Sequence, residues 1–247
     1  MTRLGRVRSE SRAEWRSFLR RRTAVFFTFL FPVILVLIFG ALVGSRAAGG
    51  LFAKPPAYYV PGYLAVVVLF TPLSRVSSTV ARFRAGHRFE KLATTPLTAF
   101  EWLVAHAVVN VTLVAIAGAL VLTLVAGLTD ARFAVSPVLI PLLIAGTLCF
   151  VGAGAAIGRL SDSRDGAIAA SNAIGLPLVF LSETFVPPSL LPAWFRPLVA
   201  LSPLTYFARG TRAAITGGGS WEPAMAVLLA LGAAGLLIGA LAIPWRT

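Results

Sequence analysis

Arg84, His87, Arg88, Phe89, Glu90, Lys91, Leu92, Thr95 and Pro96 gather cations, a carboxylate, an imidazole and a hydroxyl into one short stretch of a chain that is apolar on both sides of it. The chemistry open to such a set is recognition by charge and shape, since no H-E-x-x-H metal pair and no G-x-S-x-G nucleophile turn occurs anywhere in the sequence. At bilayer depth the charges of Arg82, Arg84, Arg88, Glu90 and Lys91 would together cost roughly 12–18 kcal/mol, at about 2.5–3.5 kcal/mol each. The stretch therefore belongs outside the lipid. Phe83, Phe89, Leu92 and Ala93 can share one helical stripe while Arg84, Arg88 and Lys91 share another, which predicts a short amphipathic helix. Thr94, Thr95 and Pro96 are expected to end it, because the residue before a proline is pushed out of the α region. Thr95 with Pro96 is also expected to start the next helix, as its cap and first turn. Taken alone, these residues fit a solvated basic loop as well as a docking element.

A second group of polar residues is scattered through the apolar runs. His106 and Asn110 are four apart and so lie on one helical face, where a partner helix or a cavity must receive them. Interhelical hydrogen bonding and contact with a transported molecule both fit. Asn172 is read in the same way. Glu183, near the end of an apolar run, is expensive unless it meets water or a cation, and the expectation is that it reaches water at the membrane's edge.

The elements that must hold these residues follow from composition. Of 247 residues, 57% are hydrophobic and only 13% charged, about half the charged share of a soluble domain, so the chain is an integral membrane protein. Its formal charge of +13 is concentrated beside apolar runs, which speaks for a membrane surface and against nucleic acid. Six uncharged or nearly uncharged runs are expected to cross, near residues 23–43, 58–79, 102–126, 135–157, 167–186 and 224–243. The first is too long for the apolar part of a cleavable leader, about 7–15 residues, and is read as a span. Arg75 is expected to snorkel from the second span to the headgroups. Gly154 and Gly158 form a weak G-x-x-x-G signal for close helix contact. Cys149 is read as a small core residue.

Residues 1–22 carry eight arginines and two glutamates, with Trp15, Phe18 and Leu19 spaced to share a face, which predicts an amphipathic helix at the inner interface. Between the last two spans the prolines at 187, 188, 192, 197 and 203 forbid a continuous membrane helix. The apolar Trp194, Phe195, Leu198 and Leu201 nevertheless call for short interfacial or re-entrant helices on the outer side. With six crossings both termini share one side. The amino end, Arg75, the charged stretch, the 159–166 loop and Arg246 hold sixteen of the twenty-two lysines and arginines, which places both termini in the cytoplasm.

Phe89-Glu90-Lys91-Leu92-Ala93-Thr94-Thr95-Pro96-Leu97 followed by Trp102-Leu103 resembles the segment after the second span of ABC-2 type exporter permeases, the family of drug, polysaccharide and lipid exporters that includes daunorubicin-resistance-like permeases. Leu181-Ser182, Leu191-Pro192-Ala193-Trp194 and Ser202-Pro203-Leu204-Thr205-Tyr206 with Arg212 are similar to that family's outer segment before the last span. Glu183 departs from the pattern, since the family commonly has a small residue there. The resemblance implies one transmembrane domain over residues 1–247, with an interfacial helix at 1–22, a coupling helix within 82–97 and an outer helical segment at 187–206. It further implies that residues 84–96 seat in a separate ATP-binding cassette subunit that carries the ATP and magnesium, and that two permeases pair in the cell membrane to export an amphipathic or hydrophobic molecule. The sequence has no G-x-x-x-x-G-K-[ST] loop, so the chain is expected to have no ATPase site, no cofactor and no metal of its own. A secondary transporter or channel, and a non-transporting assembly factor, are the competing classes. The first ought to carry ionisable residues at mid-membrane, and this chain has almost none.

Overall fold

The computed structural model describes residues 2–44, 54–129, 131, 133–185 and 192–245. The side chains of 39–44 lie outside this description, as do Arg246 and the whole of 187–191, with Pro187, Pro188, Leu190 and Leu191. Among the described residues the chain is helical throughout, with ten α-helices: α1 (Arg3–Leu19), α2 (Arg22–Gly44), α3 (Val60–Ala85), α4 (Arg88–Ala93), α5 (Ala99–Leu128), α6 (Leu139–Leu160), α7 (Arg164–Phe180), α8 (Arg196–Leu201), α9 (Pro203–Thr216) and α10 (Glu222–Ala242).

Four of the helical segments are long and apolar enough to cross a membrane: Pro56–Ala85, which includes α3 and the 3-10 turn before it, then α5, α6 and α10. The pair α1 and α2 meets the same test if taken as one broken span, bent by 83° at Arg20 and Arg21. The expected run at 167–186 is helical only to Phe180. Its 17 residues reach about 25 Å at the α-helical rise, short of a hydrocarbon core of about 30 Å. The helix stops there because Ser182 and Thr184 turn back on it, each hydroxyl donating to the Val179 carbonyl at 2.7 and 2.8 Å. Those bonds satisfy a carbonyl that another helical turn would have used.

α3 is the axis of the fold. It is buried along most of its length and packs on α5, α6, α7 and α9. Close approach of α6 to both α3 and α10 is made by glycine. A Cβ at Gly154 would stand 2.8 Å from the Leu73 carbonyl oxygen, one at Gly158 would strike the Ser77 carbonyl, and one at Gly152 would fall within the backbone of Gly235. The weak motif at 154 and 158 thus marks a real helix contact, while the tightest crossing, Gly152 against Gly235, involves residues far apart in the sequence. Gly152→Val is expected to destabilise the bundle by about 1–3 kcal/mol, the range for forcing bulk into a packed core, read as a lower midpoint in thermal unfolding of the purified protein.

On the side away from α4, α8 and α9 follow Pro192 as short helices, as their prolines require, and α9 buries Leu204 and Phe207 in the main core. Gly217, at φ 65°, closes α9 in the left-handed conformation that glycine adopts without steric cost.

Candidate functional site

α3 does not stop where its apolar run ends. It continues through Arg82, Phe83 and Arg84 to Ala85, and the chain then breaks at Gly86 and His87, the latter at φ 52°. What composition reads as one amphipathic helix is therefore two, with the left-handed residue turning the short α4 across the end of α3. Gly86 and His87 donate backbone hydrogen bonds to the Arg82 and Arg84 carbonyls, each at 3.1 Å.

The turn drives Phe89 inward. Its ring is 2% exposed and lies 5.5 Å from Phe83, 5.2 Å from Trp102 and 5.9 Å from Trp245, centroid to centroid. These four aromatics join the end of α3, α4, the start of α5 and the chain just past α10. Leu92 and Leu97 pack partly buried on the same cluster. On the opposite side Arg88, Glu90, Lys91, Thr94, Thr95 and Pro96 are exposed, with His87 Nδ1 2.8 Å from Glu90 Oε1. Arg88 reaches back over the Phe83 ring at 5.2 Å. Arg84 turns sideways, donating to the Arg159 carbonyl and lying 3.6 Å from the Asp162 carboxylate, so it ties the end of α3 to the end of α6 and the loop after it. Of the residues singled out in the sequence, Phe89 is thus the internal anchor, Arg84 a tie to α6, and His87, Arg88, Glu90 and Lys91 the exposed tip.

Thr95 does not cap the next helix. Its hydroxyl donates to the Leu92 carbonyl at 2.6 Å and closes α4. The cap of α5 is Thr98, whose side chain accepts from Glu101 N at 3.2 Å while Glu101 Oε2 accepts from Thr98 N at 3.0 Å. Two orphan donors are satisfied reciprocally there, which a start at Thr95 cannot match because the residue three positions on is Thr98, with no carboxylate or amide to reach back.

Glu101 also accepts from Arg6 of α1, at 3.0 Å from Nε and 2.5 Å from Nη2. This contact opens a polar seam along α1. Ser11 donates to the Ala105 carbonyl at 3.3 Å. Arg75 of α3 donates to Glu14 at 3.0 Å and to Asn110 Oδ1 at 3.3 Å, and its guanidinium lies 4.4 Å from the centre of the Phe18 ring. Arg75 accordingly does not snorkel, because α1 brings a carboxylate to it within the bundle. His106 is 1% exposed, stacked at 3.9 Å on Trp102, with Glu10 3.8 Å from Nε2 and Glu14 3.9 Å from Nδ1. Asn110 Nδ2 donates to the His106 carbonyl at 2.8 Å. His106 and Asn110 do share a face, and it is turned to α1 and α3. Contacts thus run without a gap from α4 through Phe89, Trp102 and His106 to Glu10 and Glu14.

At the other end of the bundle, Glu183 meets a cation rather than water. Only 5% exposed, it accepts from Arg209 Nε at 2.9 Å and also from Arg209 Nη2, and Arg212 donates to its backbone carbonyl at 2.8 Å. Hydrogen bonding to this carboxylate holds the Arg209 guanidinium above its ordinary pKa. Arg212 lies 4.3 Å over the Tyr58 ring. The pair fastens the loop after α7 onto α9. Asn172 sits on the exposed face of α7, with Ser171 beside it buried and hydrogen-bonded to Ser77 at 2.7 Å.

Sequence reasoning missed Glu10, Glu14, Arg75 and Arg209 as partners. The one available signal was the placement of Glu10 and Glu14 four apart among arginines, which puts both on one face of α1.

The sequence model for the ABC-2 type transporter family matches residues 7–216. No curated protein matches the chain.

Proposed function

Because the chain belongs to the ABC-2 type transporters, a family of membrane permeases, we propose that it is the membrane-spanning subunit of an ATP-driven exporter whose ATP is hydrolysed by a separate cassette subunit. In this reading α2, α3, α5, α6, α10 and α7 lengthened by the turn through Phe185 are six crossings, α1 lies along the inner interface, and both termini are cytoplasmic. Two permeases pair in the cell membrane, each with a cassette subunit carrying ATP and magnesium. The cargo is amphipathic or hydrophobic, consistent with helices lined mainly by Ala, Val, Leu and Gly.

The observation that carries the reading is the construction of α4. A helix of six residues has no stability of its own in water, yet this one keeps its charged face exposed while Phe89 is fixed among three aromatics on other elements. Such a piece suits the transfer of motion: a partner grips Arg88, Glu90 and Lys91, and displacement passes through Phe89 to the ends of α3 and α5. For ATP to drive the spans, the cassette must contact this tip differently in its ATP-bound and ATP-free states.

Glu90→Lys reverses the charge of an exposed residue, so insertion and folding of the permease are expected to be unchanged. Co-purification with the cassette subunit and permease-stimulated ATP hydrolysis are expected to fall at least tenfold, roughly what a lost and inverted charge contact across an interface costs. Normal stimulation by the variant, or labelling of a cysteine at His87 from outside intact cells, would remove the basis of the assignment.

A further inference from the structure

α1 is two-faced in charge rather than in polarity. Glu10, Glu14 and Phe18 turn toward α3 and α5, held by Arg75 and His106, and Arg6 joins them through Glu101. Arg8, Arg12, Arg16 and Arg20 recur every fourth residue and are all exposed, forming a row one helical turn apart on the side away from the bundle. Leucines flank the row at the two ends of α1, Leu4 82% and Leu19 51% exposed, and past the bend the exposed Phe26 and Phe27 follow on α2. The axis of α1 turns 83° from that of α2, so where α2 stands along the membrane normal α1 lies in the membrane plane.

We propose that Arg8, Arg12, Arg16 and Arg20 form a binding row for the headgroups of anionic phospholipids on the inner leaflet. Like charges one turn apart repel each other along a helix, and a set of phosphates opposite them removes that repulsion. The exposed apolar residues at the ends of the row select the occupant. An acidic protein surface or a nucleic acid would satisfy the guanidiniums but leave Leu4, Leu19, Phe26 and Phe27 in water, whereas a lipid supplies a phosphate for the row and acyl chains for these residues. Since the opposite face of α1 is the polar seam on α5, occupancy of the row also presses Glu10 and Glu14 toward His106 and Arg75. The inference does not depend on which cassette or cargo the permease serves.

The test uses the full-length chain, reconstituted in phosphatidylcholine containing a quarter phosphatidylglycerol, released into detergent and weighed with its retained lipids by native mass spectrometry. The wild-type protein is expected to retain phosphatidylglycerol in preference to phosphatidylcholine. Each basic residue near an anionic surface contributes about fivefold in affinity. Changing all four arginines to glutamine should therefore abolish that preference, and the Arg12→Gln, Arg16→Gln pair should lower it by up to about 25-fold. Arg159→Gln with Arg164→Gln, at the α6–α7 loop, should leave it unchanged. Equal retention by the fourfold variant overturns the proposal. Displacement of the retained lipid by millimolar inorganic phosphate alone also overturns it, because the row would then be a site for free phosphate. Unchanged lipid retention with loss of a protein partner would reassign the row to that partner.

Discussion

Phe89→Ala is expected to lower the stability of the α4 end of the bundle by about 3–5 kcal/mol, the usual cost of emptying a fully buried phenylalanine site, and, under the proposed function, to uncouple the permease from its cassette subunit. The ring is the one side chain of α4 that is fully enclosed, and it touches Phe83, Trp102 and Trp245 at once. Without it, six residues with an exposed charged face have nothing to hold them as a helix against the ends of α3 and α5. Two measurements separate the consequences. Hydrogen exchange should rise in α4 while remaining protected in α6 and α10, whose contact depends on their own glycines. Cargo export should fall further than cassette binding, because the exposed tip of Arg88, Glu90 and Lys91 is still present but no longer fixed to the spans. Phe89→Leu, which keeps most of the volume, should recover the greater part of both. Protection in α4 equal to that of the unaltered protein after Phe89→Ala would show that the aromatic anchor is not what orders it.

Removal of one charge from the seam under α1 is the second large effect. Glu14→Gln leaves the Arg75 guanidinium within the bundle facing a neutral amide oxygen beside Asn110 and the Phe18 ring; removing the charge from one side of this partly buried pair, 19% and 10% exposed, should cost about 1–3 kcal/mol. The thermal midpoint should drop and α1 should become susceptible to protease. The compensating test is the double change Glu14→Gln with Arg75→Met, which removes both charges. Replacing a buried ion pair with apolar bulk is often close to neutral, so the double variant should be more stable than Glu14→Gln alone. If it is less stable by the sum of the two single changes, the residues act independently and the seam is not a paired unit.

Both effects arise from contacts between residues distant in the chain, and that separation explains what could be read beforehand. Hydropathy alone exposes the membrane character of the chain, the long apolar helices and the position of the charged stretch, because the cost of burying charge in lipid depends on composition and hardly at all on fold. Short-range chemistry legible in the sequence likewise held where only neighbours were involved: prolines at 192, 197 and 203 did yield short helices in place of a span. It failed where two local signals competed. Thr95-Pro96 looked like a helix start, but Thr98 with Glu101 provides two reciprocal hydrogen bonds and takes the cap.

The sequence by itself determined that this is a helical membrane protein of transporter type with a charged element between apolar runs, since those properties follow from residue counts, periodicity and a motif contained in one segment. Only the tertiary structure decided the partners of the buried charges. Arg75 could have snorkelled and Glu183 could have met water by any local criterion; instead α1 presents Glu14 to the first and α9 presents Arg209 to the second. A buried charge is tolerated only where an opposite one arrives within hydrogen-bond distance, and which helix brings it depends on crossings such as Gly152 against Gly235, fixed by packing between segments that carry no mark of each other in the sequence.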